Sequence, residues 1–186
     1  MAISGQAEQR RAANARGLAA FGGGTSVGTD GELYRVVHEG GKLNFFTIGY
    51  ERRDGEGLIA ALRDAGVRHL ADVRDNPVSR KPDFRAGALK KLCEDAGIEY
   101  GAWTDLGSTD TQRENLQATG DFSAFRRNFR AYALRNMDEP LERLIKVAKK
   151  KTVALLCYER LHNECHRSII SEILAERYQA TVTAIL

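Results

Sequence analysis

The 186-residue sequence has no apolar run near the ~18–20 residues that a membrane-crossing helix needs. Its opening stretch, MAISGQAEQRRAANARG, has no apolar segment of the kind a secretory signal carries. The Arg and Ala there faintly suggest a transit peptide, but Glu8 and the absence of a clean amphipathic stripe argue against one. Cysteine is scarce: only Cys93, Cys157 and Cys165 are present. An odd, small number without a secretory signal argues against a disulfide framework, so reduced thiols in a cytoplasmic protein are expected. No GxGxxG and no P-loop pattern occurs, so neither a dinucleotide cofactor nor ATP hydrolysis is indicated, and no cofactor is expected. Charge of one sign is nearly balanced, with a net +3 and a pI of about 8.8. That balance permits contact with phosphate without demanding it.

What is present reads as one globular domain with an appendage. Hydrophobic residues make up 42 % and charged residues 28 %, ordinary values for a packed domain. Residues 1–42 stand apart as an N-terminal extension. An Ala/Arg/Gln stretch leads into the glycine-rich FGGGTSVGTDGE, which is flexible by composition, and LYRVVHEGGKL (33–43) suits a short strand or hairpin arm. Such an arm leaves room for a swapped homodimer.

From residue 43 onward, apolar strand patterns alternate with helical ones. Strands are expected at 45–50, 67–74, 98–103, 152–158 and 181–185, and helices at 54–65, 85–96, 121–135, from Asp138 to about 148, and at 166–177. Asp138 is the expected N-cap of its helix, with Pro140 in the first turn. Residues 104–120 are polar and read as irregular. The alternation predicts an α/β fold, a three-layer Rossmann-like sandwich with a mostly parallel five-stranded sheet and helices on both faces. Ligands of such sheets bind at the carboxyl ends of the strands, where the strand order reverses.

The residues just after the strands are therefore the informative ones. They are Tyr50 and Glu51 after the first, Arg74, Ser79 and Arg80 after the second, and Glu159 after the fourth, followed by Cys165, His166 and Arg167 at the start of the last helix. A cysteine at a helix start beside Arg and His has the setting of a thiolate nucleophile, and equally that of a small buried residue. A phosphatase-type loop is excluded, because Arg167 follows Cys165 too closely for the backbone to wrap a phosphate. Glu159 after a buried strand suits a general acid or base, or an ion-pair partner of an arginine. Asp72, inside its strand, reads as a buried partner of an arginine. Arg74, Arg80 and Arg167 exceed the local carboxylates and match an anionic visitor.

No metal is expected at Cys157, Cys165 and His166, because C-x7-C-H is not a zinc spacing and adjacent Cys and His point apart on a helix. Arg126, Arg127, Arg130 and Arg135 read as a solvated helix face, with nucleic-acid tracking as the alternative. Phe122, Phe125, Phe129 and Tyr132 read as core.

The segments TIGYE (47–51), DVRDNPVSRKPDF (72–84), AGIEY (96–100), LGS (106–108) and ALLCYERLHNECHR (154–167) resemble the domain-of-unknown-function 488 family over about residues 45–186. The resemblance implies an α/β fold with Arg74, Pro77, Ser79, Arg80, Glu159, Cys165, His166 and Arg167 as signature positions. One departure is Arg52, where many relatives carry Gly, which adds charge near the mouth of the site and leaves that turn less permissive. The family supplies a site without a reaction.

The expected function is hydrolase- or glycosidase-like chemistry on an anionic, phosphate-bearing substrate such as a nucleotide or nucleic acid. Glu159, Cys165 and His166 would be catalytic, and Tyr50, Arg74, Ser79, Arg80 and Arg167 would bind. The alternatives are a non-catalytic anion or nucleic-acid binding module and a thiol redox sensor using Cys157 and Cys165. No membrane partner is expected.

Overall fold

A computed structural model describes residues 34–36 and 43–186. The expectations for residues 1–33 and 37–42 lie outside the described residues. Six strands form one sheet in the order β1-β6-β2-β5-β3-β4. They are β1 (Tyr34–Val36), β2 (Asn44–Gly49), β3 (His69–Asp72), β4 (Glu99–Ala102), β5 (Val153–Cys157) and β6 (Thr181–Ile185). The last five run parallel, and β1 adds to the β6 edge antiparallel. The expected α/β sandwich is thus present, with five parallel strands and one further edge strand drawn from the 33–43 segment.

The helices are α1 (Gly55–Asp64), α2 (Ala86–Asp95), α3 (Asp110–Thr119), α4 (Phe122–Asn136), α5 (Asp138–Ala148) and α6 (His166–Tyr178). Two apolar clusters define the layers. On one sheet face α1 and α2 bring Leu58, Leu62, Leu89 and Cys93 against Ile48, Leu70, Ala154 and Leu156. On the other, α4, α5 and α6 bring Phe129, Leu144, Ile170 and Leu174 against Phe45, Ala71, Val153 and Leu155. The alternation along β5 explains why its sequence is apolar throughout: successive side chains serve opposite cores.

Two expectations need correction. Residues 110–119 are helical. Thr109 and Gln112 form a reciprocal capping box, and Gly120, at φ 65°, ends the helix in the left-handed region. No α3 residue is buried, so the apolar periodicity that marks a helix in sequence was missing. Asp138 is not an N-cap. It occupies the first turn of α5 with Met137 before it, and its carboxylate accepts a hydrogen bond from Arg177 at 2.5 Å. The cost of an uncapped start is moderated by that acidic first turn, which complements the helix dipole.

The topology fixes where a ligand can sit. From β2 the chain crosses through α1 to β3, past β5; from β5 it crosses through α6 to β6, past β2. The two crossovers leave in opposite directions and on opposite faces. The order therefore reverses between β2 and β5, and a crevice opens at their carboxyl ends.

Candidate active site

Gly49 and Cys157, the last residues of β2 and β5, are register partners. Beyond them the strands stay together: Tyr50 N–H donates to Cys157 O at 3.2 Å, and Glu51 N–H to Tyr158 O at 2.9 Å. The β5 chain then folds across the end of β2 so tightly that a Cβ on Gly49 would lie 1.9 Å from the Glu159 carbonyl oxygen. Only glycine fits there. Gly49→Ala is expected to cost about 1–3 kcal/mol by overpacking, read as a lowered urea midpoint with unchanged slope. An unshifted midpoint would show that the Glu159 loop yields freely.

The loop returns through a 3-10 turn at His162–Glu164. His162 Nδ1 lies 3.0 Å from Thr47 Oγ1, tying the loop to β2. Burial, reinforced by the Arg167 charge, pushes the His162 imidazole down to about 4, so it is a neutral strut. Cys165 follows as the N-cap of α6, with extended φ −130° and ψ 150°. It is therefore not on the helix. Its side chain turns back over the first helical residue, and Sγ lies 3.7 Å from His166 Nδ1. This corrects the expectation that adjacent Cys and His point apart. From β5, Cys157 Sγ approaches the same nitrogen at 3.8 Å. The other ring nitrogen, Nε2, lies 3.0 Å from Val73 O. A carbonyl can only accept, so Nε2 carries hydrogen and Nδ1 faces the two sulfurs.

Burial opposes ionisation of Cys165, but the Cys157 hydrogen bond, the Arg167 guanidinium and His166 outweigh it and hold the thiol well below its ordinary value. Cys157 moves the other way, pushed up by its hydrogen bond to Cys165 and by burial. Burial disfavours the His166 imidazolium, and the Cys165 charge more than offsets it. Glu159 is pushed up to about 7, first by burial and then by Cys165. Its Oε2 is buried with no hydrogen-bond partner among the described residues.

The three arginines do not share one open anion site. Arg74 is buried and grips Asp72 with Nε at 2.7 Å and Nη2 at 2.5 Å, while Nη1 donates to Tyr50 Oη and Phe84 O. Asp72 is thus the buried arginine partner expected of it. Arg167 is 1 % exposed and donates from Nε to Cys165 Sγ at 3.3 Å and from Nη2 to Glu159 O at 2.5 Å. Its counter-charge is the sulfur of Cys165, which the sequence does not count among the acids. Arg80 is exposed and has no ion pair or hydrogen bond among the described residues. Ser79 Oγ accepts from Lys81 N–H, and Lys81 Nζ is bound by the carbonyls of Tyr50, Glu51 and Arg53. Arg52 is exposed and has no positive φ, so the turn after β2 does not require glycine.

A cavity of about 780 Å³ joins these groups. Tyr50, Arg74, Ser79, Arg80, Glu159, Cys165 and His166 line it, whereas Arg167 lies behind the wall. Helix α3 adds Arg113, Leu116 and Gln117, and α4 adds Phe122 and Phe125. This outer wall was missed because α3 was read as irregular; the Thr109-x-x-Gln112 capping box was the signal that marks it. Arg126 and Arg130 on α4 pair with Glu172 and Glu176 of α6, so they form an interhelical seam.

A family model described as Domain of unknown function DUF488 matches residues 55–174. The chain belongs to this family. No curated protein and no solved structure matches it. The DUF488 match contains Arg74, Ser79, Arg80, Glu159 and the Cys165-His166-Arg167 run, while Tyr50 and Gly49 lie ahead of it. No helix among the described residues is long and apolar enough to cross a membrane.

Proposed function

We propose that this DUF488 chain is a hydrolytic enzyme that acts on a phosphate-bearing substrate, of the nucleotide or nucleic-acid-end class, in the switch-point cavity. The observation that carries this reading is Glu159. Its Oε2 is buried and unpartnered, yet the residue lines an accessible cavity beside Cys165 and His166. An unpaired buried carboxylate oxygen is costly to a fold. A group that takes or gives a proton to a bound substrate accounts for its retention.

The lining supports the substrate class. Arg80 is a cation with no acidic partner among the described residues, available to a phosphate. Phe122, Leu116 and Tyr158 supply apolar surface of the kind a base or sugar covers. Tyr158 is 47 % exposed and Val78 73 %, unusual for large apolar groups beside a polar site.

The test is thermal unfolding of the wild type and Arg80→Ala with nucleoside mono- and diphosphates, inorganic phosphate and short oligonucleotides, with product formation followed by chromatography. At a ligand concentration 100-fold above Kd, stabilisation of about 2.7 kcal/mol is expected. Arg80→Ala should weaken binding by roughly tenfold or more, the loss of a charge-assisted hydrogen bond. If no member of the panel stabilises or is converted, the proposal fails. Stabilisation that falls steeply with salt, without any conversion, would instead favour a non-catalytic anion-binding module.

A further inference from the structure

We propose that Cys157, Cys165 and His166 form a zinc site at the floor of the cavity. The binding claim stands on ligand geometry alone; only its catalytic use rests on the hydrolytic reading above. The two sulfurs and His166 Nδ1 all lie within 4.8 Å of one another. A tetrahedral zinc, with Zn–S near 2.3 Å and Zn–N near 2.05 Å, requires S···N separations of about 3.6 Å. The observed separations are 3.7 Å for Cys165 and 3.8 Å for Cys157. Both sulfur-to-nitrogen separations thus lie within tenths of an ångström of the zinc geometry. Two thiolates and an imidazole are a soft, nitrogen-and-sulfur donor set that selects zinc over magnesium or calcium.

The surrounding contacts point the same way. A ligating histidine usually donates its other ring N–H to a carbonyl or carboxylate, which fixes the ring. His166 Nε2 does so to Val73 O at 3.0 Å. A ligating thiolate is stabilised by N–H donors, and Arg167 Nε donates to Cys165 Sγ at 3.3 Å. The ring is also held edge-on by Phe129, with centroids 5.4 Å apart.

An entry path exists, because all three ligands line the cavity. The set supplies three protein ligands. The fourth position would then face the cavity, as in sites where the metal holds water or a substrate oxygen. Glu159 lines the same cavity as the three ligands without joining the three-atom cluster. It is therefore placed beside the metal as a neighbour to a fourth ligand. The sequence hides this site because the spacing is C-x7-C-H and because Cys165 caps the helix instead of lying on it.

The test uses full-length protein purified without chelators. Metal content is measured by plasma mass spectrometry, and free thiols are counted with a chromogenic reagent before and after a strong chelator. About one zinc per chain is expected, with two additional thiols becoming reactive once the zinc is removed. Cobalt reconstitution should give the intense bands of a tetrahedral thiolate site, and these should be lost in Cys165→Ser and in His166→Ala. The thiol count needs no variant, so it remains decisive if either substitution unfolds the chain. Less than a tenth of a zinc per chain after zinc reconstitution, or a thiol count that the chelator does not change, would overturn the proposal. Arg80→Ala should keep its zinc. Zinc binding without any phosphate ligand would leave the metal site standing and sink the substrate reading; ligand turnover without zinc would do the reverse.

Discussion

Asp72→Ala is expected to lower the free energy of unfolding by about 3–5 kcal/mol, the cost of leaving a buried charge without its partner. Asp72 is fully buried, and its two oxygens serve Arg74 Nε and Nη2, the Arg74 backbone N–H and Tyr100 Oη. Removing the carboxylate strands Arg74, which is itself 6 % exposed. Burial works against the guanidinium charge there, and the Asp72 pairing together with Tyr50 more than restores it. Without Asp72 only Tyr50 Oη and Phe84 O remain to Nη1. The measurement is urea unfolding of the single variants and of Asp72→Ala/Arg74→Met. The double variant should recover much of the loss, because a buried ion pair is often replaceable by apolar groups although neither half is removable alone. A cost under about 1 kcal/mol for Asp72→Ala would place the pair in the range of exposed salt bridges and show that water reaches it.

The same pair explains what the sequence could and could not reveal. The strands were legible because β5 is apolar at every position and the others are bounded by Gly49, Gly66 and Gly97. The observed strands match the expected ones to within two residues at either end: β3, β4 and β5 are trimmed, β2 is shifted by one residue to begin at Asn44, and β6 coincides. Helix α3 was not legible by apolar pattern, since it turns no buried residue inward. The set of residues around the cavity was legible from one rule, that parallel strands present their carboxyl ends together. How those residues are paired was not. An arginine partner for Asp72 was legible from its place inside a strand, but which arginine it holds was not, and a count of acids cannot see that a cysteine sulfur accepts from Arg167. Likewise the Cys165–His166 contact depends on the backbone leaving the helix at one residue, an angle that composition does not report.

Glu159→Gln is expected to reduce turnover by about 10²–10⁴-fold while changing ligand affinity little, the signature of a lost proton-transfer group. Glutamine keeps the shape and one hydrogen-bonding oxygen of glutamate but cannot exchange a proton. The backbone at this position is fixed independently of the side chain, by Arg167 Nη2 on the Glu159 carbonyl and by the close approach of Gly49. The substitution therefore tests the carboxyl group without moving the loop. At Oε2 there is no hydrogen-bond partner among the described residues to lose. If Glu159 were only a spacer, the variant would retain activity within about tenfold, and the neutral amide would slightly strengthen anion binding by removing a negative charge from the wall. A large fall in turnover with Kd preserved would show that the carboxyl acts in the chemical step and not in binding. Comparison with Gly49→Ala sharpens the distinction: that variant displaces the Glu159 backbone and should raise KM and lower kcat together, whereas Glu159→Gln should lower kcat alone.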